Sequence, residues 1–509
     1  MSDLANSKNN SAKNANSSFS PAVIVTICLA VAILAGVIVW SVFAKQANSL
    51  DNKVAMEVGE NSVSGLEYQF YYKNEIANFQ NQYSSYLSVF GVDFTKDLNE
   101  QTYLDGSTTW ADYFSEIAQS ALVENTLLYN EAIANGYELS DAEKEAIDSE
   151  IDSLGKAVSQ LGYGVDYYLE AVYGKGITAN KYKEFIEKST IVSKYVNDLA
   201  AGYEYTDDEC ETYYNENKKT LDTATLRSYV FNYTVPSDAA EGDESYKDEA
   251  RNSANAMLEA ITDEASFETY LNDNVLTEEE KSSLNEDYSL TENISYNAVS
   301  TEIADWIFDG ARVEGDKVVI EANNAFNVIY FISCGLEDYN LANIRHIFVE
   351  AEEVEHEHDE DGNHIDSEEY DAAVDAAVEA AMSKANDIYN EWKSGDATAE
   401  SFGALAVTYS ADTSSASNNG IITGVTKDTF TIDDVTEWIF DSARAEGDCD
   451  IVKSEYGAHI VYFENEGESY KTVVIKNALA SNEYSEYISG LKENAEIVLN
   501  EEVIDIITK

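Results

Sequence analysis

A chain of 509 residues is too long for a single hydrophobic core, so about three domains are expected. Its formal net charge of −65 argues against nucleic acid or anionic lipid as a partner, because both are gripped by Lys/Arg surfaces. With 44% hydrophobic residues, 35 Tyr and 18 Phe, the composition supports packed cores and excludes a disordered chain.

Residues 1–20, rich in Ser, Asn and Lys, read as a short cytoplasmic tail. The segment 21–44 follows. Within it Ala22–Ala44 holds 23 residues without a charge, enough at roughly 1.5 Å per residue to cross the ~30 Å hydrocarbon layer. A cleaved leader ending at Val42-Phe43-Ala44 is the rival. The apolar run is long for that role, so a single-pass membrane anchor is the expectation. Lys8 and Lys13 against Lys45 and Lys53 give little orientation bias, and the large acidic remainder is placed on the extracytoplasmic face. Cys210, Cys334 and Cys449 form no CxxC pair and are expected to be buried free thiols.

Next, Val54–Tyr72 reads as a short strand, a Gly-Glu-Asn turn and a helix capped by Ser64, with Glu67 completing a capping box. Residues 45–222 are predominantly helical in pattern. ALVENTLLYNEAIANG stops at Gly136, SDAEKEAIDSEIDSL starts at the cap Ser140 with Glu143, and ANKYKEFIEKSTIVSKYVNDLA is amphipathic. YTDDECETYYNEN opens a last helix. From Ala224 the character changes to an α+β order. LRSYVFNY is a strand, three helical runs follow (the last STEIADWIF), and DKVVIEA and NVIYFIS are strands. The order then recurs, with NIRHIFVE, a long Ala-rich helix, SFGALAVTYS, DDVTEWIF, DIVKSEY and HIVYFE. Residues 468–509 carry a strand-like KTVVIKNAL and an amphipathic helix from Ser481, expected to dock on the helical region.

The recurrence is exact enough to align. TEIADWIFDGARVEGD (Thr301–Asp316) and DDVTEWIFDSARAEGD (Asp433–Asp448) share nine of sixteen positions at an offset of 132 residues. In the same register NAFNVIYF meets YGAHIVYF, so Asn327 stands where the second copy has His459. Ser228 stands where it has His346. All five histidines fall in the second copy, which suggests one working unit and one structural copy.

In order and spacing, IRHIFVE, SFGALAVTYSAD, WIFDSARAEGD and YGAHIVYFE resemble a parvulin-type peptidyl-prolyl isomerase domain. VAMEVGENSVSGLEYQFYY and DDECETYYNEN are similar to the chaperone region of extracytoplasmic foldases, the PrsA and SurA group. The resemblance implies an α+β multidomain protein. Its parts would be the anchor, a helical chaperone domain (45–222), a degenerate parvulin-like domain (223–337), an active one (338–467) and a C-terminal segment packing on the chaperone domain. It implies binding of unfolded exported polypeptides and isomerisation of their X-Pro bonds, with no cofactor, and it allows a homodimer. Carried onto matching positions, His346, Asp412 and His459 are catalytic candidates, with Phe430, Phe440 and Tyr456 lining the proline slot. The chain departs from the family where it has NNGIITG (Asn418–Gly424) in place of Gly-Gly-Asp-Leu-Gly, and Val435 in place of a Phe.

Other readings remain open from the residues alone. The histidines also fit a satisfied core pair. Ser410 or Ser415 with Asp412 and His459 would make a hydrolase, although no GxSxG elbow is present. EHEHDEDGNHID places His356, His358 and His364 where a divalent ion or a plain solvated hairpin tip fits. An inactive holdase and a surface protein using the repeats as spacers are the non-enzymatic alternatives.

Overall fold

The computed structural model describes residues 50–84, 87–237, 244–284, 288–355 and 367–509. The expected tail 1–20, the anchor 21–44 and the histidines at 356, 358 and 364 lie outside these residues. Among the described residues no helix is long and apolar enough to cross a membrane. The chain forms two compact units, one ending at Thr206 and resuming at Asn477, the other spanning Asp207–Lys476.

The first unit opens with β1 (Val54–Val58) and β2 (Asn61–Ser64), a hairpin where the sequence suggested one strand. Five helices of nine residues or more follow: α1 (Gly65–Gln82), α2 (Trp110–Ala134), α3 (Asp141–Gln160), α4 (Val165–Tyr173) and α5 (Ala179–Ala201). Caps fix where they start. Ser140 and Glu143 form the expected reciprocal box on α3. On α1 only half a box forms. The Ser64 hydroxyl accepts from the Glu67 N–H, but the Glu67 carboxylate turns instead to Lys188, 2.7 Å away.

The second unit begins with α6 (Asp207–Leu221), so the spatial divide falls one helix before the 222/223 boundary read from sequence. Its first module comprises β3 (Thr223–Asn232), α7 (Asp248–Ala260), α8 (Glu264–Asn274), α9 (Glu278–Ser283), β4 (Leu290–Ser295), α10 (Thr301–Ile307), β5 (Lys317–Ala322) and β6 (Ala325–Gly335). The second repeats it as β7 (Asn340–Glu350), α11 (Glu368–Ser394), α12 (Ala399–Tyr409), α13 (Thr413–Ala416), β8 (Ile421–Val425), α14 (Asp433–Ile439), β9 (Cys449–Ser454) and β10 (Gly457–Ser469). Both sheets are antiparallel with the same topology, β4-β3-β6-β5 and β8-β7-β10-β9. Each holds an edge strand that the sequence reading took as loop. The NNGIITG departure is one of them, a turn leading into β8.

The repeated WIFD-x-AR-x-EGD motif has a structural cause. Arg312 and Arg444 stack on Trp306 and Trp438, 5.1 and 3.7 Å from the rings, and pair with Asp309/Asp316 and Asp441/Asp448. Gly315 and Gly447, at φ 90° and 89°, donate to Phe331 and Phe463 oxygens and lock the turn to the central strand.

The C-terminal segment corrects the sequence reading. KTVVIKNAL lies in a helix, α15 (Tyr470–Glu493), not a strand. Its β-branched run is a weak preference, and Ile475 and Ile488, both buried, are served by one continuous helix. Then β11 (Ile497–Leu499) pairs antiparallel with β1, and α16 (Glu501–Thr508) puts Val503, Ile504 and Ile507 among Met56, Tyr68 and Phe114. Of the cysteines, Cys210 is a buried free thiol as expected, whereas Cys334 is exposed and Cys449 half-buried.

Candidate active site

The site is built on the central pair of the second sheet. Register places His346 opposite Val461 and His459 opposite Phe348, so both histidines project from one face, offset by one pleat. The other face carries Ile347, Val349, Ala458 and Ile460 against Ala385, Ile388, Phe402 and Ala406 of α11 and α12. Helix α14 covers the histidine face only further along, where Ala342, Ile344, Val461 and Phe463 meet Val435 and Ile439.

His346 Nε2 lies 3.0 Å from His459 Nδ1, with the rings nearly parallel, and both residues are only 4% exposed. Asp412 is brought in by the segment after α12. There Ala411 N–H donates to Phe348 O at 2.8 Å, and the Ser410 hydroxyl accepts from the backbone of Phe348 and Asp412. Asp412 Oδ2 sits 3.1 Å from His346 Nδ1 and accepts from Ser415 Oγ at 2.6 Å. Its Oδ1 caps α13 through Ser414. Beyond His459, Nε2 lies 2.9 Å from Ser454 Oγ.

Gly420 keeps this arrangement close. It sits at φ 70°, its oxygen accepts from His346 N–H at 2.9 Å, and an added Cβ would fall 2.7 Å from the His346 oxygen. The departure from the family pattern thus retains a glycine at the one position where backbone meets backbone.

The hydrogen bond to His346, aided by Ser414 and Ser415 against the opposing effect of burial, holds the Asp412 carboxyl well below the usual range. Burial, with the neighbouring His346 adding to it, pushes His459 down to about 4. Asp412 therefore accepts from His346 Nδ1–H, and His459 is neutral near pH 7. The inter-ring bond then closes in two ways. Either His459 donates to His346 and accepts from Ser454, or a charged His346 donates to His459, whose Nε2–H donates to Ser454. Both satisfy every polar atom of the chain; the second holds one proton more than the first, so passing between them takes up a proton from outside the chain.

Apolar rings border the pair. Phe430 meets the His346 ring edge-on at 5.5 Å, and Phe348 stacks on His459 at 4.8 Å. Phe440 is half-buried in the same apolar cluster as Phe430, Ile422 and Val452. Tyr456, expected at the slot border, has its side chain 58% exposed in the β9–β10 turn. It serves through its backbone N–H, which donates to Ser454. Sequence reasoning missed Phe348 and Ser454. The first was accessible, two residues from His346 on one strand; Ser454 needed the Ser454↔Gly457 hairpin register. The hydrolase reading is corrected: Ser410 and Ser415 serve the Asp412 segment, and neither is bonded to His459.

The first module lacks this chemistry at equivalent positions. Ser228 pairs with Ile329 as His346 does with Val461, and the Asn327 side chain donates to the Ile320 oxygen at 3.2 Å. Thr277 caps α9 where Asp412 caps α13.

Residues 346–465 match the family described as Rotamase, PPIC-type PPIASE domain. These residues form a parvulin-type isomerase domain. Over 113 residues, 21% of this chain, the sequence is 26% identical to the foldase protein PrsA of Clostridium perfringens; the matched stretch spans 33% of that relative's length. Among solved structures, PrsA from Bacillus subtilis aligns over 80% of this chain and 97% of its own, at 13% identity and TM-score 0.26. A SurA-like chaperone of Campylobacter jejuni aligns over 67% and 97%, at 10% identity and TM-score 0.16. The family match begins at His346, on β7, and includes Asp412 and His459.

Proposed function

We propose that the protein is an extracytoplasmic foldase, anchored by residues 21–44, that catalyses cis–trans isomerisation of X-Pro bonds in unfolded exported polypeptides. The observation that carries this reading is the Asp412–His346–His459–Ser454 chain lying on a desolvated sheet face beside Phe430 and Phe440. Rotation about a peptide bond costs about 18–20 kcal/mol because resonance is lost at the half-turned geometry. Uncatalysed X-Pro exchange accordingly takes on the order of tens to hundreds of seconds. No bond needs to be broken, so a catalyst needs no nucleophile. It must bind the twisted imide better than either planar form.

Two features supply this. The aromatic walls hold the pyrrolidine ring away from water, where amide resonance is less favoured than in hydrogen-bonding solvent. The histidine pair offers polar groups of fixed orientation, held between Asp412 and Ser454. Asp412 fixes the His346 ring and compensates a charge on it. Chaperone binding is assigned to the first unit and isomerisation to the parvulin domain, with the first module as a scaffold lacking catalytic groups.

The test is prolyl-peptide isomerisation by the full chain, with and without His459→Ala. The reading expects a rate above background that this substitution abolishes. A wild type at background leaves the holdase alternative, which predicts suppressed client aggregation without turnover.

A further inference from the structure

Tyr339 lies just before β7, outside the matched residues 346–465, and touches one wall of the slot, Phe440, and the loop that leads to the other. Its ring meets Phe440 edge-on at 5.4 Å and stacks on Tyr470 at 5.0 Å, with Lys427 Nζ 4.4 Å from its centroid. The Tyr470 N–H donates to the Tyr339 oxygen at 2.7 Å, which fixes the backbone beneath the ring. Its hydroxyl accepts from the Lys427 N–H at 3.2 Å. Lys427 belongs to the turn closed by Thr426 and Thr429, and the next residue is Phe430, the ring against His346.

The first module braces its equivalent phenylalanine differently. Phe308 meets Tyr296 at 5.5 Å, with Lys219 Nζ 5.1 Å from that ring. There the tyrosine precedes α10 and the lysine lies on α6, before β3. In the second module the tyrosine precedes β7 and the lysine precedes α14. The partners have exchanged elements, and Leu221 occupies the position corresponding to Tyr339. In the catalytic copy the exchange ties the loop bearing a slot wall to a side chain outside the domain's matched residues.

We propose that Tyr339 is a positioning residue of the isomerase site, bracing Phe440 with its ring and the Phe430 loop with its hydroxyl. The proposal rests on the isomerase reading above. It assigns Tyr339 to binding of the proline ring, not to the polar step at the histidines, so its loss weakens affinity and spares turnover.

The experiment compares wild type, Tyr339→Leu and Tyr339→Phe as full chains. Steady-state isomerisation of a proline tetrapeptide is measured together with peptide affinity by NMR titration. Tyr339→Leu is expected to raise KM about tenfold with kcat within about twofold, and Tyr339→Phe to raise KM about threefold. A folded Tyr339→Leu with unchanged KM and affinity, or with kcat lost at unchanged KM, overturns the proposal. If the leucine variant fails to fold, the phenylalanine variant decides, and an unchanged KM there overturns it. A wild type that binds the peptide but never turns it over defeats the isomerase reading alone; the affinities then judge Tyr339 by the same criterion. A wild type that neither binds nor turns over defeats both.

Discussion

The two modules of the second unit share strand order, register and the Arg-on-Trp turn, and they part at three polar positions. Ser228, Asn327 and Thr277 stand in the first where His346, His459 and Asp412 stand in the second. Asn327 spends its amide on a neighbouring strand oxygen, while His459 extends a chain of four polar side chains. The fold therefore does not require the imidazoles. A buried pair of titratable rings costs desolvation that its hydrogen bonds must offset, and the first copy shows the sheet closing without it. Likewise Phe308 is 6% exposed and seals a core, whereas Phe440 is half-buried beside the histidine face.

Truncating those phenylalanines should separate the modules most widely. Phe308→Ala should cost about 3–5 kcal/mol of unfolding free energy in urea titration, as for a filled core position. Phe440→Ala should shift the urea midpoint much less and weaken peptide binding instead. Equal destabilisation would erase the distinction between core and slot.

Next in size, His459→Ala should lower kcat/KM on the order of 100-fold, whereas the double change Ser228→Ala with Asn327→Ala should leave it within about twofold. A comparable loss from the first-module change would mean that both copies take part in turnover.

Where the modules agree, the same substitution should act alike. Arg312→Ala and Arg444→Ala each remove a cation stacked on Trp and paired with two carboxylates, and each should cost about 1–3 kcal/mol of stability. An Arg444 variant that lost activity with no loss of stability would show that the repeated motif serves catalysis.

The smallest contrast is in pH. His459 takes up its proton near 6.5 when unfolded but only near 4 when folded, so between those values the unfolded chain binds more protons. Stability present above 6.5 is therefore lost as pH falls toward 4. Asp412 acts with the same sign further into acid, its stabilisation complete above about 3.9 and lost only below its ordinary range. The first module has no histidine, so His459→Asn should flatten the dependence between pH 6.5 and 4. An unchanged slope of the urea midpoint would show that His459 is not the source.

Much of this was readable beforehand because it is local. Caps at Ser140 and Glu143, helix periodicity and the 132-residue repeat depend on residues near one another in sequence or on direct identity. Edge strands β4 and β8 were not, since a short strand at a sheet edge is specified by its neighbour's unpaired backbone more than by its own residues. The same holds for α15, where burial of Ile475 and Ile488 overrode a β-branched run.

By itself the sequence determined that a doubled α+β unit exists and that only its second copy carries histidines, because repeats and residue identity need no folding to be seen. Only the tertiary structure decided that His346 and His459 meet at 3.0 Å, and that Ser454 and Tyr339 stand beside them and their slot. Those contacts join residues as much as 113 positions apart, and strand register, fixed by how both sheet faces are buried, sets which side chains converge.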